Sequence, residues 1–312
     1  MLRTTSGVAE GQVIEGVRRK AQVDFSMSVP FGFISGLEPP VDLRIAAILH
    51  LFHPDLSAEF LEALTQVPGC LDVFISTDSD EKSTEILKVF RNWEKGDVDV
   101  RVLPNRGRDI GPRLTAFRDV HAKYDLLLYL QSKRDSHLVD GPPWRRYLLH
   151  SLVGSPAIVR SILEAFHRDQ RLGIIMPQHW GPIRHRLDWG SNFIGARNLS
   201  RRMGIRLTPA HVIDFPSGSM FWARPAALRP ILDLGLRPED FPEESGQFDG
   251  TLAHVLERLF LYACEAAEYR WVKVCDSAGS DDKRAVISID TAGALDVYRQ
   301  RFDYRLTALG PR

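Results

Sequence analysis

Four clusters of polar residues have the composition of a ligand-binding rim. The richest is Asn105-Arg106-Gly107-Arg108-Asp109, with Arg101 before it and Arg113 after it. Four guanidinium groups around a single acid suit a pyrophosphate, because each planar fork can bond two phosphate oxygens. Gly107 permits a left-handed turn, and Gly111-Pro112 opens a helix whose free N–H groups favour an anion. A surface loop in which Asp109 only pairs with a neighbouring arginine would carry the same residues. Ser76-Thr77-Asp78 offers a carboxylate that could bond a base or ribose, or cap the helix after it. Gln131-Ser132-Lys133 offers a cation for phosphate, or a solvated lysine. His50 and His53 are donor-contact candidates, and two histidines without further ligands do not make a metal site. Trp180 and Trp189 offer faces for a sugar ring, although core packing is the commoner fate of tryptophan.

The elements around these clusters alternate. Ile45–Leu49 is an apolar run of strand length, and Ser57 is placed to cap a helix carrying Phe60, Leu61, Leu64 and Val67 on one face. Leu71–Ile75 predicts a second strand, and Ile86, Leu87 and Phe90 mark a second helix. Val98, Val100 and Val102 alternate as a third strand, Pro112 suits the first turn of the next helix, and Tyr124–Leu130 predicts a fourth strand. This alternation implies an α/β fold with a doubly wound, mostly parallel sheet. Such sheets bind ligands beyond the carboxyl ends of their strands, which is where all four clusters fall. Further on, Leu172–Met176 and Ser219–Ala223 read as strands and 177–198 as a long loop region. Leu252, Val255, Leu256, Leu259 and Phe260 stripe one late helix. Paired prolines at Pro39-Pro40 divide the chain into a flexible extension (1–40), one catalytic-type domain (41–275) and a C-terminal tail (276–312).

Composition narrows the function. Lys+Arg and Asp+Glu both number 40 in 312 residues, so the formal net charge is zero. A general nucleic-acid binder would need an excess of cations for phosphate. The three cysteines form no CxxC pair and read as reduced thiols without structural zinc. No apolar run approaches the roughly 18 residues that span a bilayer, and the N-terminus lacks the apolar core of a secretory signal. The expected location is the cytoplasm, with any membrane contact peripheral and at the inner face. No nucleophile elbow or P-loop supports a hydrolase or phosphotransferase.

Longer segments resemble the rhamnan synthesis protein F family. They are His50-Leu51-Phe52-His53-Pro54, Ile75-Ser76-Thr77-Asp78, Pro104–Pro112, Trp144-Arg145-Arg146-Tyr147, Gly218–Arg224, Phe241-Pro242-Glu243-Glu244 and Asp249–His254. One departure is Gln131-Ser132-Lys133, where the family usually has His-Thr-Lys. The resemblance implies a glycosyltransferase, rhamnosyl by expectation, working in bacterial polysaccharide or lipopolysaccharide synthesis. Its donor would be a nucleotide sugar such as dTDP-rhamnose and its acceptor a glycan or lipid-linked glycan. The alternative is a non-catalytic module that binds glycan or nucleotide sugar and assists a partner transferase. The layout is also similar to inverting transferases with a GT-A fold. Those carry an Asn-x-Gly stretch, a metal-binding Asp-x-Asp and an acidic pair before a late helix. Here the Asp-x-Asp position holds Lys133, Arg134 and Asp135, so Mg or Mn is an open expectation. The resemblance implies donor contacts from His50, Asp78, Asn105, Arg106, Arg108, Asp109 and Lys133, and acceptor contacts from Trp189, Asn192 and Trp222. Asp249 is the expected base, followed by Glu244 and Glu243; the other reading of Asp249 is a helix cap.

Overall fold

A computed structural model describes residues 16–18, 24–33, 43–134, 141–244, 246, 249–276, 286–301 and 305–306. Its first half repeats strand and helix in step with the sequence. Strands β1 (Ser26–Val29) and β2 (Ile45–His50) lead to helix α1 (Ser57–Thr65), then β3 (Asp72–Thr77), α2 (Asp80–Phe90) and β4 (Val98–Val102). The short helices α3 (Ile110–Thr115) and α4 (Arg118–Lys123) precede β5 (Leu126–Gln131). Helices α5 (Gly141–Val153) and α6 (Pro156–Arg168) lead to β6 (Leu172–Pro177) and α7 (Phe193–Arg202). The chain continues through β7 (Phe221–Ala223), α8 (Arg229–Leu232), α9 (Leu252–Glu257), α10 (Phe260–Ala266) and β8 (Arg270–Asp276). The last described elements are β9 (Val286–Ile287) and α11 (Ala292–Arg301).

Nine strands join in the order β4-β3-β2-β5-β7-β6-β8-β1-β9. Neighbours pair in parallel except around β7, which runs antiparallel to β5 and β6. The doubly wound, mostly parallel sheet expected from the alternation is therefore the fold. The central strands β2 and β5 are nearly continuous apolar runs because both of their faces are covered. In β2, Ile45, Ala47 and Leu49 pack with residues of α1, α2, α5 and α6, while Ala46 and Ile48 pack with residues of α3, α7, α9 and α10.

Local signals were partly redirected by packing. Ser57 does not cap α1: a 3-10 turn at Pro54–Leu56 leads straight into the helix, and Ser57 is buried as its first residue. Ser79, not Asp78, caps α2 by accepting from the Lys82 N–H. Part of the 177–198 loop region is helical, with a 3-10 segment at Gly181–Arg186 and the start of α7. The single late helix is two, broken between Glu257 and Phe260. Thr251, not Asp249, caps α9 through a reciprocal box with His254.

The sheet also draws on residues outside 41–275. β1 lies between β8 and β9, and its flank is tied in by a buried network. Lys273 Nζ sits 2.6 Å from Asp24 and 2.7 Å from Asp214, and Gln178 Nε2 donates to the Ser26 hydroxyl. Tyr298 and Leu295 of α11 are buried in the same layer as α6. The described parts of the 1–40 and 276–312 segments thus belong to the folded unit.

Candidate functional site

The strand order reverses direction between β2 and β5, where β2 leads outward to β3 and β4 and β5 leads the other way. A crevice outside the carboxyl ends of strands at such a point is the usual ligand site of open α/β sheets. His50 ends β2 and pairs in register with Gln131 at the end of β5. His50 Nδ1 meets the Ser76 hydroxyl at 2.9 Å, and Gln131 Nε2 donates to the Gly218 carbonyl at 2.7 Å. Burial, helped by the Arg113 charge, lowers the His50 pKa to about 4, so this imidazole is neutral near pH 7. The His53 backbone N–H is held by Ser132, linking the β2 and β5 loops. His53 is also lowered, first by burial and then by the Arg134 charge.

The arginine loop after β4 is shaped by its glycines. Gly107 has φ +72°, and a Cβ there would strike the Phe241 ring. Arg108 itself has φ +54°, a left-handed conformation that costs a non-glycine residue roughly 1–3 kcal/mol. The four arginines do not surround one acid. Arg101 points away, paired with Asp99 at 2.8 Å and Asp119 at 2.7 Å. Arg113 alone pairs with Asp109, at 2.9 Å and fully buried, and it also donates to the Ser219 carbonyl. Burial raises the Asp109 pKa to about 6 against the pull of Arg113. Asp109 and Arg113 therefore pin α3 beneath the rim, because a buried carboxylate with a dedicated partner has no face for a donor.

Arg106 and Arg108 remain at the surface and meet the acidic pair. Arg106 contacts Glu243 and donates to the Phe241 carbonyl at 3.1 Å; Arg108 lies 3.4 Å from Glu244. Backbone contacts reinforce this strap, since Arg106 bridges Glu243 and the Glu244 N–H donates to Asn105 at 3.3 Å. Asp78 pairs with Lys82 at 2.6 Å, whose ammonium also lies 3.7 Å over the Phe52 ring. Lys133 lies 4.2 Å over Trp144, which stacks on Trp180 at 6.3 Å.

The three expected acceptor contacts are internal. Trp189 is fully buried against Phe193 and Tyr262, and Trp222 is fully buried in β7 with its N–H bonded to the Leu152 carbonyl. Both indoles fill the core, Trp222 from a strand within the sheet and Trp189 from the layer that covers its other face. Asn192, also fully buried, is a clamp: its amide donates to Asp249 Oδ1 at 2.6 Å and to the Trp189 carbonyl, and its oxygen accepts from the Gly250 N–H.

Asp249 is exposed, with its side chain 34% open, and it is oriented on both oxygens, with Oδ2 accepting from the Ser191 N–H at 3.0 Å. Burial raises its pKa, but the Asn192 and Ser191 bonds and the Arg258 charge at 3.6 Å outweigh that and hold it below the usual value. Two residues near it escaped the sequence reading. Glu257 accepts from the Gly218 N–H at 3.2 Å and the Ser219 hydroxyl at 3.3 Å. Ser219 has φ +57°, so a second left-handed non-glycine residue stands at this rim. His254 lies among Arg108, Glu257, Asp249 and Arg258. The available signal was spacing: His254 and Glu257 are three apart and share a helix face.

Among the described residues no group of three or more His, Cys, Asp or Glu is arranged to hold a metal ion. After β5, Lys133 is engaged with Trp144 and Arg134 with Asp55, while Asp135 lies outside the described residues. Among the described residues no helix is long and apolar enough to cross a membrane.

Fold and rim together define a doubly wound α/β protein with a rim of paired polar residues at the carboxyl ends of its strands. The chain belongs to the rhamnan synthesis protein F family, whose profile matches residues 13–269. Uncharacterized protein WxcX from two strains of Xanthomonas campestris pv. campestris is 35% identical over 236 residues, covering 74% of this chain and 33% of the relative. The chain thus spans about a third of the length of these curated relatives. Among solved structures, 4-diphosphocytidyl-2C-methyl-D-erythritol synthase from Anaerococcus prevotii aligns with 84% of this chain and 97% of its own, at 9% identity and TM-score 0.37. Mouse xyloside xylosyltransferase 1 aligns with 80% of this chain and 85% of its own, at 12% identity and TM-score 0.33. Similarities of that size carry no functional weight.

Proposed function

We propose that this chain is a GT-A-like glycosyltransferase domain that moves a sugar from a nucleotide donor to a glycan in bacterial surface-polysaccharide or lipopolysaccharide synthesis. Family membership supports the process. The observation that carries the chemistry is the pairing of Arg106 and Arg108 with Glu243 and Glu244 at the end of β4, on the loop that opens α3, a helix packed against β2. There they meet the donor diphosphate, exchanging the Glu243 and Glu244 carboxylates for phosphate oxygens. His50, Asn105 and Lys133 line the same rim for the rest of the donor, and the family's description supports a rhamnosyl nucleotide such as dTDP-rhamnose.

Inverting transfer needs a carboxylate to take the acceptor proton as the sugar migrates. Asp249 is the base in this reading: it is ionised, fixed on both oxygens and partly open to solvent. Glu244, freed from Arg108 when the donor binds, is the alternative base. Fixed cations stabilise the departing diphosphate, and no step is routed through a metal. The acceptor is a glycan or lipid-linked glycan, met at the inner face of the membrane. A second reading, a non-catalytic nucleotide-sugar-binding module, is favoured by one feature: both rim arginines are already neutralised by acids. Screening the purified chain against a panel of nucleotide sugars, first for thermal stabilisation and then for hydrolysis or transfer, separates the readings. Stabilisation with turnover supports the enzyme, stabilisation without turnover supports the module, and neither result rejects both.

A further inference from the structure

His254 is nine-tenths buried, and its Nε2 atom has no hydrogen-bond partner among the described residues. The other ring nitrogen fixes which proton it carries. Nδ1 lies 2.8 Å from the Thr251 hydroxyl and 3.4 Å from the Thr251 backbone N–H. A backbone N–H can only donate, so Nδ1 is the acceptor, and a neutral ring then carries its proton on Nε2. Burial lowers the ring's pKa to about 4, with Arg108 exerting the strongest single charge effect, so the neutral form holds at physiological pH. The result is a buried N–H donor with a fixed tautomer and no acceptor among the described residues. Leaving such a donor unpaired is unfavourable, and an unpaired donor beside an arginine-bearing rim is matched by an anionic oxygen.

We infer that His254 donates its Nε2–H to an oxygen of the bound diphosphate, a positioning contact that rests on the donor-site reading above. Arg108 belongs to the arginine loop, and its 3.4 Å pair with Glu244 is long for a charge-assisted bond. Helix α3, which the arginine loop opens, packs against α9, the helix that carries His254, so a diphosphate that draws Arg108 from Glu244 arrives beside that helix. The same tautomer means that Nε2 has no lone pair for a metal, so the residue serves the anion and not a cation.

The test uses the whole chain with uridine and thymidine diphosphates as probes. His254→Gln keeps the helix cap, because Thr-x-x-Gln is itself a capping box, but withdraws the rigid ring donor. The expected result is an affinity loss of about tenfold for the diphosphates, with an unchanged melting temperature. Long-range proton–nitrogen spectra should show His254 protonated on Nε2 in the free protein, with that signal shifting on saturation. Wild-type protein that binds a diphosphate while His254→Gln binds it equally well overturns this inference alone, as does a ring protonated on Nδ1. Wild-type protein that binds neither probe overturns the donor-site reading and this contact with it.

Discussion

The buried imidazoles make the fold acid-sensitive, and the size of the effect can be worked out. His121 and His254 are both lowered from 6.5 to about 4, chiefly by burial. A histidine lowered in the native state binds protons more weakly there, so the unfolded chain takes up protons first as pH falls. Stability is full above 6.5 and is lost through the window down to about 4. Between pH 7.5 and 5 each ring costs about 2 kcal/mol, together about 4 kcal/mol. Asp109 acts in the opposite sense. Raised from 3.8 to about 6, it holds its proton better when folded and adds about 1.4 kcal/mol over the same interval. The net fall is about 2.5 kcal/mol, a large part of a domain's typical stability of roughly 5–15 kcal/mol. His50, partly exposed, and His53 and His179, also lowered, push the same way. Urea unfolding at a series of pH values, followed by tryptophan fluorescence, measures it. His121→Asn keeps a donor for the Phe117 carbonyl without a titrating ring, and it should flatten the slope by about 1.2 kcal/mol per pH unit between 5 and 6. Stability that is level or rising from pH 7.5 to 5 would refute the reasoning.

Asp249→Asn should abolish transfer while donor binding survives. It should also cost about 1–2 kcal/mol in a thermal melt, because an amide cannot accept from both Ser191 and Asn192. Near-normal transfer by this variant moves the base to Glu244. Activity should survive EDTA, as fixed cations do the work of a metal in this account; loss on chelation with rescue by Mn or Mg rejects it. Gly107→Ala should lower stability by more than about 1 kcal/mol, since φ +72° and the Phe241 ring both oppose a Cβ. A melting temperature equal to wild type would show that the loop relaxes.

The sheet was legible because β2, β3 and β5 are buried on both faces and read as apolar runs. β1 was not, because Ser26 and Ser28 interrupt its pattern, and their burial depends on partners such as Gln178 that are distant in sequence. The rim was legible as position: polar clusters fall at strand ends. Its pairings were not, since Arg106 meets Glu243 across 137 residues and local spacing says nothing about such contacts. The same limit turned Trp189 and Trp222 from sugar platforms into core, for composition alone cannot say which way an indole faces. Asn192 shows the converse, a polar residue read as a ligand contact that is consumed in holding Asp249.

The central claim is that the arginine loop receives a diphosphate, and calorimetric titration of uridine and thymidine diphosphates into wild type and Arg106→Ala/Arg108→Ala tests it. Each arginine trades a carboxylate for a phosphate, so its net worth is about 1 kcal/mol, or five- to tenfold in affinity. The double variant should therefore bind about 25- to 100-fold more weakly, with its fold intact by circular dichroism. Equal affinity in wild type and double variant would contradict the account.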